Sequence, residues 1–505
     1  MSTSTDRPGT DSGDGPLPRT VSGPSSRPTD RRRLALDLAV VLGAMALFTT
    51  AALIGRDYAD SQNTLRLRWP PLYAYWEPHL GPGSVAAPAV AVLVIAYGPR
   101  LARTLRWRAL LFASWAGAMA WNWSLTLVDG WHRGVATRLT TGYEYLQSVG
   151  DVHGIGDTLR GFTARILLDA PDNWPPHVAG HPPAALLTFV GLDRAGLGGG
   201  VWASVFVITV GSSAVAALLV TVRSLASESL ARGFVPYALL APSAVWTAVS
   251  ADGYFTAVAA WASALLALAA TGSVRAPAKA ALGSGLLFGL VCYLSYGLVL
   301  TGFLALAVLA AARTQGRGNS GAKTQAPGST PLPQKRLERP MRPVPLVPLV
   351  LLVLCGMAPW FVWFTASGFW WWEGWSTLVE RYYQGAARVR PYGYFVWANL
   401  AAQTAVAGPA VVASLRRATA CVSRGVARVA PERGALLLLV AGGVCCLLAA
   451  DLSGMSKGET ERIWLPFTLW LLPATALLPE PAGRWWLAAQ AALALTVNHL
   501  LITGW

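Results

Sequence analysis

The sequence predicts an all-α polytopic membrane protein, and three observations carry that prediction. Hydrophobic residues make up 54% of the 505 and charged residues only 13%, too few charges to clothe an ordinary soluble surface. Apolar runs almost free of charge recur at 34–54, 85–97, 109–121, 201–220, 235–248, 254–270, 281–312, 344–364, 395–415, 434–450, 464–478 and 485–502. Several approach the ~20 residues a helix needs to cross a bilayer. The period-two alternation of membrane barrel strands is missing from them, so their backbone polar groups must be satisfied within helices.

The elements follow in order. Residues 1–33, rich in Ser, Thr, Pro, Gly and charge, read as a disordered cytoplasmic tail. Arg31-Arg32-Arg33 directly before the first run sets the N-terminus in the cytoplasm. Residues 34–98 form an N-terminal transmembrane hairpin. Residues 107–312 form a transmembrane core interrupted by a long outer loop, 122–197. Residues 313–343, dense in Gly, Pro, Gln, Lys and Arg, read as a flexible cytoplasmic linker. Residues 344–505 supply the last helices, with outer loops at 369–394 and 451–463.

One pass per run, with Ser295-Tyr296 dividing 281–312 into a tight hairpin, gives about thirteen spans. It also places every basic cluster on the cytoplasmic side. The formal charge of +15 and the pI near 10.0 are then explained by topology and attraction to anionic membrane lipids, not by a nucleic-acid partner. The five cysteines fall in apolar runs or inner loops, so no outer disulfide is expected. No phosphate-binding P-loop or dinucleotide glycine fingerprint stands in a strand–helix setting, which removes the usual machinery of ATP-driven pumps.

The same parity puts all six histidines and most acids on the outer face. The first outer segment holds Asp57 and Asp60 among aromatic residues. The long loop holds Asp129, Glu144 and Asp151, then His181-Pro182-Pro183, whose prolines stiffen the turn into the next span. Loop 369–394 holds Arg381, Arg388 and Arg390 among tryptophans and tyrosines that favour the membrane interface. Loop 451–463 holds Lys457, Glu459, Glu461 and Arg462. Asp252 lies between two apolar runs with almost no loop, as a helix cap or as a carboxylate facing a polar cavity.

An outward cavity of carboxylates, cations and aromatic rims suits a sugar carried on a lipid phosphate. Transfer needs a carboxylate to take the acceptor hydroxyl's proton and cations to stabilise the departing phosphate. A single base and direct displacement invert the anomeric centre. Asp129, at a span end, is the leading base, followed by Glu144, the pair Asp57 and Asp60, and Asp252. Asp151, His181, Arg381, Arg388, Arg390, Lys457, Glu459, Glu461 and Arg462 are the substrate-binding candidates, the arginines because a guanidinium matches phosphate geometry. A divalent metal, Mg or Mn, stays open as a cofactor: His132, His153 and His177 with nearby acids match no compact ligand motif.

At these residues the chain resembles the GT-C superfamily of polyprenyl-phosphate-sugar-dependent membrane glycosyltransferases, in the branch of protein O-mannosyltransferases and aminoarabinose transferases. The likeness rests on Asp129-Gly130 after an early span, Tyr143-Glu144-Tyr145-Leu146, the HPPAALLTFVGLDRAGLG segment from His181, and VWTAVSADGYFTAVAAW around Asp252. The family's adjacent Asp-Glu pair is replaced here by Asp129-Gly130. Segments SYGL, RPYGYF and GETERIWLPF are also similar to those of integral membrane proteins of actinobacteria. The resemblance implies a polyprenyl-phosphate sugar donor, an acceptor that is a cell-envelope glycan, glycolipid or exported protein, and a site on the outer membrane face. The rival reading is a transporter or flippase of a lipid-linked sugar, although no internal repeat is visible.

Overall fold

The structure is a computed structural model that describes residues 2–3, 28–62, 64–321, 345–423, 425 and 429–503. Most of the expected tail and residues 322–343 of the expected linker lie outside the described residues, as does the side chain of Asp60. Among those described, eight helices are long and apolar enough to cross a membrane, beginning with Arg31–Tyr58 and ending with Pro431–Leu452. A ninth crossing arises if Tyr392–Ala407 and Pro409–Ser423, bent by 108°, count as one.

The difference from about thirteen lies in four runs. The run at 235–248 ends as a helix at Leu239 and resumes only as one turn, Ala244–Thr247. The run at 464–478 is the short apolar stretch Leu465–Leu477, mostly 3-10. Trp107–Thr126 and Glu480–Leu500 are helices of 20 and 21 residues, but Asn122, Ser124, Gln490 and Asn498 dilute their apolar character. The short second run belongs to a full helix, Gly83–Thr104, and the run at 281–312 breaks at Ser295, where the backbone is extended. The helix after it continues to Gly321, into the segment expected to be linker.

The bundle is built around Ala251–Thr271, whose membrane-length window is 83% buried, whereas Arg31–Tyr58 and Leu346–Ala366 are only 11% buried and form the periphery. Alanine makes the central position workable. Ala257, Ala260 and Ala264 pack on Ala214 and Ala217 of a neighbouring helix, because small side chains let helices approach closely where lipid provides no hydrophobic drive. The tightest approach joins Pro277–Leu294 to Leu346–Ala366. A Cβ on Gly285 would stand 2.0 Å from the Val353 carbonyl oxygen, and one on Gly356 2.2 Å from that of Leu282.

Pro431–Leu452 carries Arg433 in its first turn and Asp451 in its last, about 27 Å apart along the axis, and so defines two ends of the bundle. At one end, loop 122–197 and segment 451–463 come together. There a two-stranded antiparallel ribbon, β1 (Ala74–Trp76) with β2 (Leu501–Thr503), pairs Ala74 with Thr503. The long loop itself is a chain of single turns, 3-10, π and short α. His181-Pro182-Pro183 leads into Ala184–Arg194, which at 11 residues is too short to cross. The next long helix starts at Gly199, so the expected re-entry at the proline pair is corrected to that glycine.

The close helix pair yields a prediction. Gly285→Ala should lower the thermal midpoint in detergent by the equivalent of about 1–3 kcal/mol, as overpacking does. Gly43→Ala, with nothing within 4 Å of its Cβ, should leave the midpoint unchanged or raise it, because alanine favours helix by up to ~1 kcal/mol.

Candidate functional site

Helix Ala251–Thr271 begins with Ser250 as its cap, the Ser250 hydroxyl oxygen accepting from the Asp252 backbone N–H at 3.1 Å. Asp252 therefore sits in the first turn, where its charge faces the positive end of the helix dipole. Its Oδ2 also receives Arg462 Nη1 at 3.0 Å, with the two side chains only 6% and 5% exposed. From Arg462 the chain of contacts continues: Nη2 lies 3.3 Å from His177 Nε2, and His177 Nδ1 lies 3.1 Å from Glu144 Oε2. Arginine has only donors, so His177 Nε2 accepts and the imidazole proton resides on Nδ1, facing Glu144.

Four charged or titratable side chains from three distant segments thus form one buried chain, Asp252–Arg462–His177–Glu144. Burial pushes the Glu144 carboxyl up, but His177, then Arg462 and Arg138, outweigh it and hold the group below the ordinary carboxylate value. Asp252, Glu144 and Glu459 together raise Arg462 above its usual value against the burial that opposes it. His181 borders the chain. Its Nδ1–H donates to the His177 carbonyl at 2.8 Å, and its ring lies 5.7 Å from Tyr145 and 5.8 Å from Phe255. Burial lowers its pKa from 6.5 to about 4, so it is neutral near pH 7.

Asp129 heads a second group. It closes a 3-10 turn immediately after Trp107–Thr126, and its Oδ1 lies 2.8 Å from His79 Nε2, with the Asp129 side chain 14% exposed. Glu77 pairs with Arg133 at 2.7 Å. Arg138 donates to Thr503 Oγ1 at 2.6 Å and experiences both Asp129 and Glu144, which oppose the lowering that burial imposes on it. Asp129, Arg138, Asn498 and Thr503 line a small cavity of about 20 Å³.

The 457–462 segment is held from outside itself rather than by pairing among its own charges. Buried Arg390 donates to the Leu65 and Lys457 carbonyls at 2.9 and 2.8 Å and to Glu459 Oε1 at 3.0 Å. Glu459 takes a left-handed φ of 63°, uncommon for a residue with a side chain. Lys457 Nζ donates to the Ala387 carbonyl. Glu461 is fully buried: its Oε1 accepts the Tyr73 N–H at 2.7 Å while its Oε2 has no hydrogen-bond partner among the described residues, and burial raises its pKa to about 7. Beyond Tyr73 opens a cavity of about 320 Å³ lined by Arg66, Leu67, Arg68, Tyr73, Ala74 and Tyr75. Ala74 lines this cavity and its ribbon partner Thr503 lines the smaller one.

The structure therefore joins Glu144, Asp252, His181 and Arg462 in one cluster, with Glu459, Glu461, Lys457 and Arg390 beside it. Asp129 stands apart from that chain on His79. Asp57 is exposed near the end of the first helix, and Arg388 is exposed. Asp151 forms only a loose pair with Arg165 at 4.0 Å. Arg381 interacts with Asp169. The tryptophans of 370–375 divide: Trp371 and Trp375 pack on Tyr296 at 5.1 and 5.7 Å, while Trp370 and Trp372 are exposed. Sequence reading named His177 only as a possible metal ligand, and missed Arg66, Arg68 and Arg138. The spacing of Arg66 and Arg68 around one residue, just ahead of Tyr73 and Tyr75, was the available signal. Asp129, Glu144 and Asp252 each face a separate nitrogen partner, and no group of three or more His, Cys, Asp or Glu is placed to hold a metal among the described residues.

No family model matches the chain, and no curated protein sequence is similar to it.

Two predictions follow from this geometry. Arg462→Ala leaves Asp252 buried without its cation and should cost about 3–5 kcal/mol in a detergent unfolding assay, with Arg462→Met plus Asp252→Asn recovering part of the loss. The titrations act in opposite directions. His181, with its pKa lowered from 6.5 to about 4, contributes stability that is full above pH 6.5 and lost as pH falls toward 4. Glu461, raised from 4.5 to about 7, contributes stability that is full below pH 4.5 and lost as pH rises to 7. Glu461→Gln should raise the thermal midpoint at pH 8 relative to the parent and leave it nearly unchanged at pH 4.5, while His181→Gln should flatten the fall between pH 6.5 and 4.

Proposed function

We propose that the chain is a GT-C-like membrane glycosyltransferase that moves a sugar from a polyprenyl-phosphate donor to a hydroxyl of a cell-envelope glycan, glycolipid or exported protein. The site would lie on the extracytoplasmic face, with the N-terminus in the cytoplasm. The observation that carries this reading is the cavity of about 320 Å³ with Arg66, Arg68, Tyr73 and Tyr75 in its lining, set against a cluster of buried acids and histidines at one end of an apolar bundle. Arginine forks match phosphate oxygens, and tyrosine rings offer a sugar an apolar face with a polar edge.

In this reading the acceptor oxygen attacks the anomeric carbon as its proton passes to a carboxylate. The bond from that carbon to the phosphate oxygen breaks, and polyprenyl phosphate leaves with the bonding pair. Asp129 is the proposed base, because it is oriented by His79 and retains 14% exposure, whereas the Glu144 and Asp252 carboxylates are committed to the buried chain. Arg66 and Arg68 offset the charge on the departing phosphate. Arg462 and Arg390 then act by holding segment 457–462, and with it Tyr73 through Glu461. One base and one displacement give inversion.

A carrier of lipid-linked sugars is the second reading, favoured by the 108° break between Tyr392–Ala407 and Pro409–Ser423, since discontinuous helices mark many transporter sites. At that break Gly408 has φ +86°, and a Cβ there would meet Gln490 Oε1 at 2.0 Å.

Proteoliposomes supplied with radiolabelled polyprenyl-phosphate sugars and envelope acceptors separate the two. Asp129→Asn should reduce sugar transfer by 10²–10⁴-fold, the range for loss of a general base, with donor affinity within a few-fold of the parent. Arg66→Gln plus Arg68→Gln should weaken donor binding itself. Undiminished turnover of Asp129→Asn removes it as base, and donor crossing the bilayer without product favours the carrier.

A further inference from the structure

At the end of the bundle opposite the Arg462 chain, a cavity of about 340 Å³ is lined by Arg33, Arg416, Arg417 and Arg433 together with Leu478 and Pro479 among others, and by no carboxylate among the described residues. Asp37, fully buried on the first helix, anchors two of the four. Arg416 Nε donates to its Oδ1 at 2.7 Å, and Arg417 Nε and Nη2 donate to its Oδ2 at 2.9 and 2.5 Å. Both carboxylate oxygens are thereby occupied. Glu480, beside Pro479, pairs with Arg103 at 3.0 Å. One carboxylate beside four guanidinium groups leaves three positive charges in excess around one cavity.

The setting indicates what relieves that excess. Arg433 stands at the start of Pro431–Leu452, so the cavity is displaced from the acid-rich end by about 27 Å of helix, close to the ~30 Å hydrocarbon of a bilayer. That places it at the headgroup level of the other membrane surface. Along the first helix after Arg33, Leu34, Leu36, Leu38 and Leu42 are exposed, an apolar surface open to lipid that begins beside the cavity. A ligand for this site needs an anion of several oxygens, for which planar guanidinium forks are suited, and an apolar remainder.

We infer that the cavity binds a phosphate-bearing anion, with the headgroup of an anionic phospholipid as its source. Basic pockets between membrane helices recognise such headgroups by this chemistry. The inference rests on the arginine cavity alone and is independent of the transferase reading.

The test uses the full chain, purified in detergent and stripped of lipid. It is titrated with mixed micelles carrying cardiolipin, phosphatidylglycerol or phosphatidylcholine, and separately with sodium pyrophosphate. Binding is read by native mass spectrometry and by the shift in thermal midpoint. Arg33 and Arg433 are exposed and outside the Asp37 contacts, so Arg33→Gln plus Arg433→Gln should fold normally. Cardiolipin should bind the parent at least tenfold more tightly than phosphatidylcholine, and the double variant should lose at least tenfold of that affinity. Pyrophosphate binding as tightly, with the same dependence on the two arginines, supports the phosphate chemistry and assigns a soluble source. Equal affinity of parent and variant for every anion, or no preference over phosphatidylcholine, overturns the inference.

Discussion

The ion pair between Arg462 and Asp252 is the constraint on which the loop end of the molecule depends. Two charges removed from water to this degree are tolerated only with close geometry and with their remaining donors and acceptors engaged. Ser250 supplies one such contact to Asp252 and His177 another to Arg462. The pair joins the first turn of the most buried helix to segment 457–462, and His177 with Glu144 extends it into the long loop. A loop made of single turns has few internal backbone bonds to stiffen it. Its placement comes from this polar chain and from aromatic packing, such as Tyr145 stacked on Phe189 at 5.4 Å.

The same arrangement separates holding from handling. Arg462, Arg390 and Lys457 have the composition of a phosphate-binding run, yet each is turned onto acids or carbonyls of the protein. The exposed arginines at the cavity mouth come from the short connection after the first helix. In a membrane protein this division has a physical basis. A guanidinium pointed toward the bundle must be neutralised by the fold itself, whereas one at the water-facing rim can wait for a ligand.

Much of the architecture was readable from hydropathy because the apolar runs are long and the charges between them sparse. The break at Ser295 and the helix start beside Asp252 are both visible in the order of residues. Asp252 was recognisable as a carboxylate placed where burial is expensive, Glu144 as a candidate base, and Arg390 and Arg462 as candidate phosphate contacts. The link from His177 to Arg462 was not legible, because the two are 285 residues apart and no local pattern announces such a partner. Asp37 was hidden for the same reason: it sits inside an apolar run and is explained only by Arg416 and Arg417, 379 and 380 residues on. Runs such as 235–248 and 464–478 misled because they have the hydropathy of a span without its continuous helix.

The ribbon of β1 and β2 has a consequence for biogenesis. Arg138 and Thr503, which meet beside it, are 365 residues apart, and at ~5–20 residues per second the ribosome needs roughly 20–75 s to deliver the second after the first. For that interval the long loop has emerged without the strand that closes its wall. The membrane helices can insert one after another, but the chamber they support is completed by the late arrival of a three-residue strand, so its assembly is timed by translation itself.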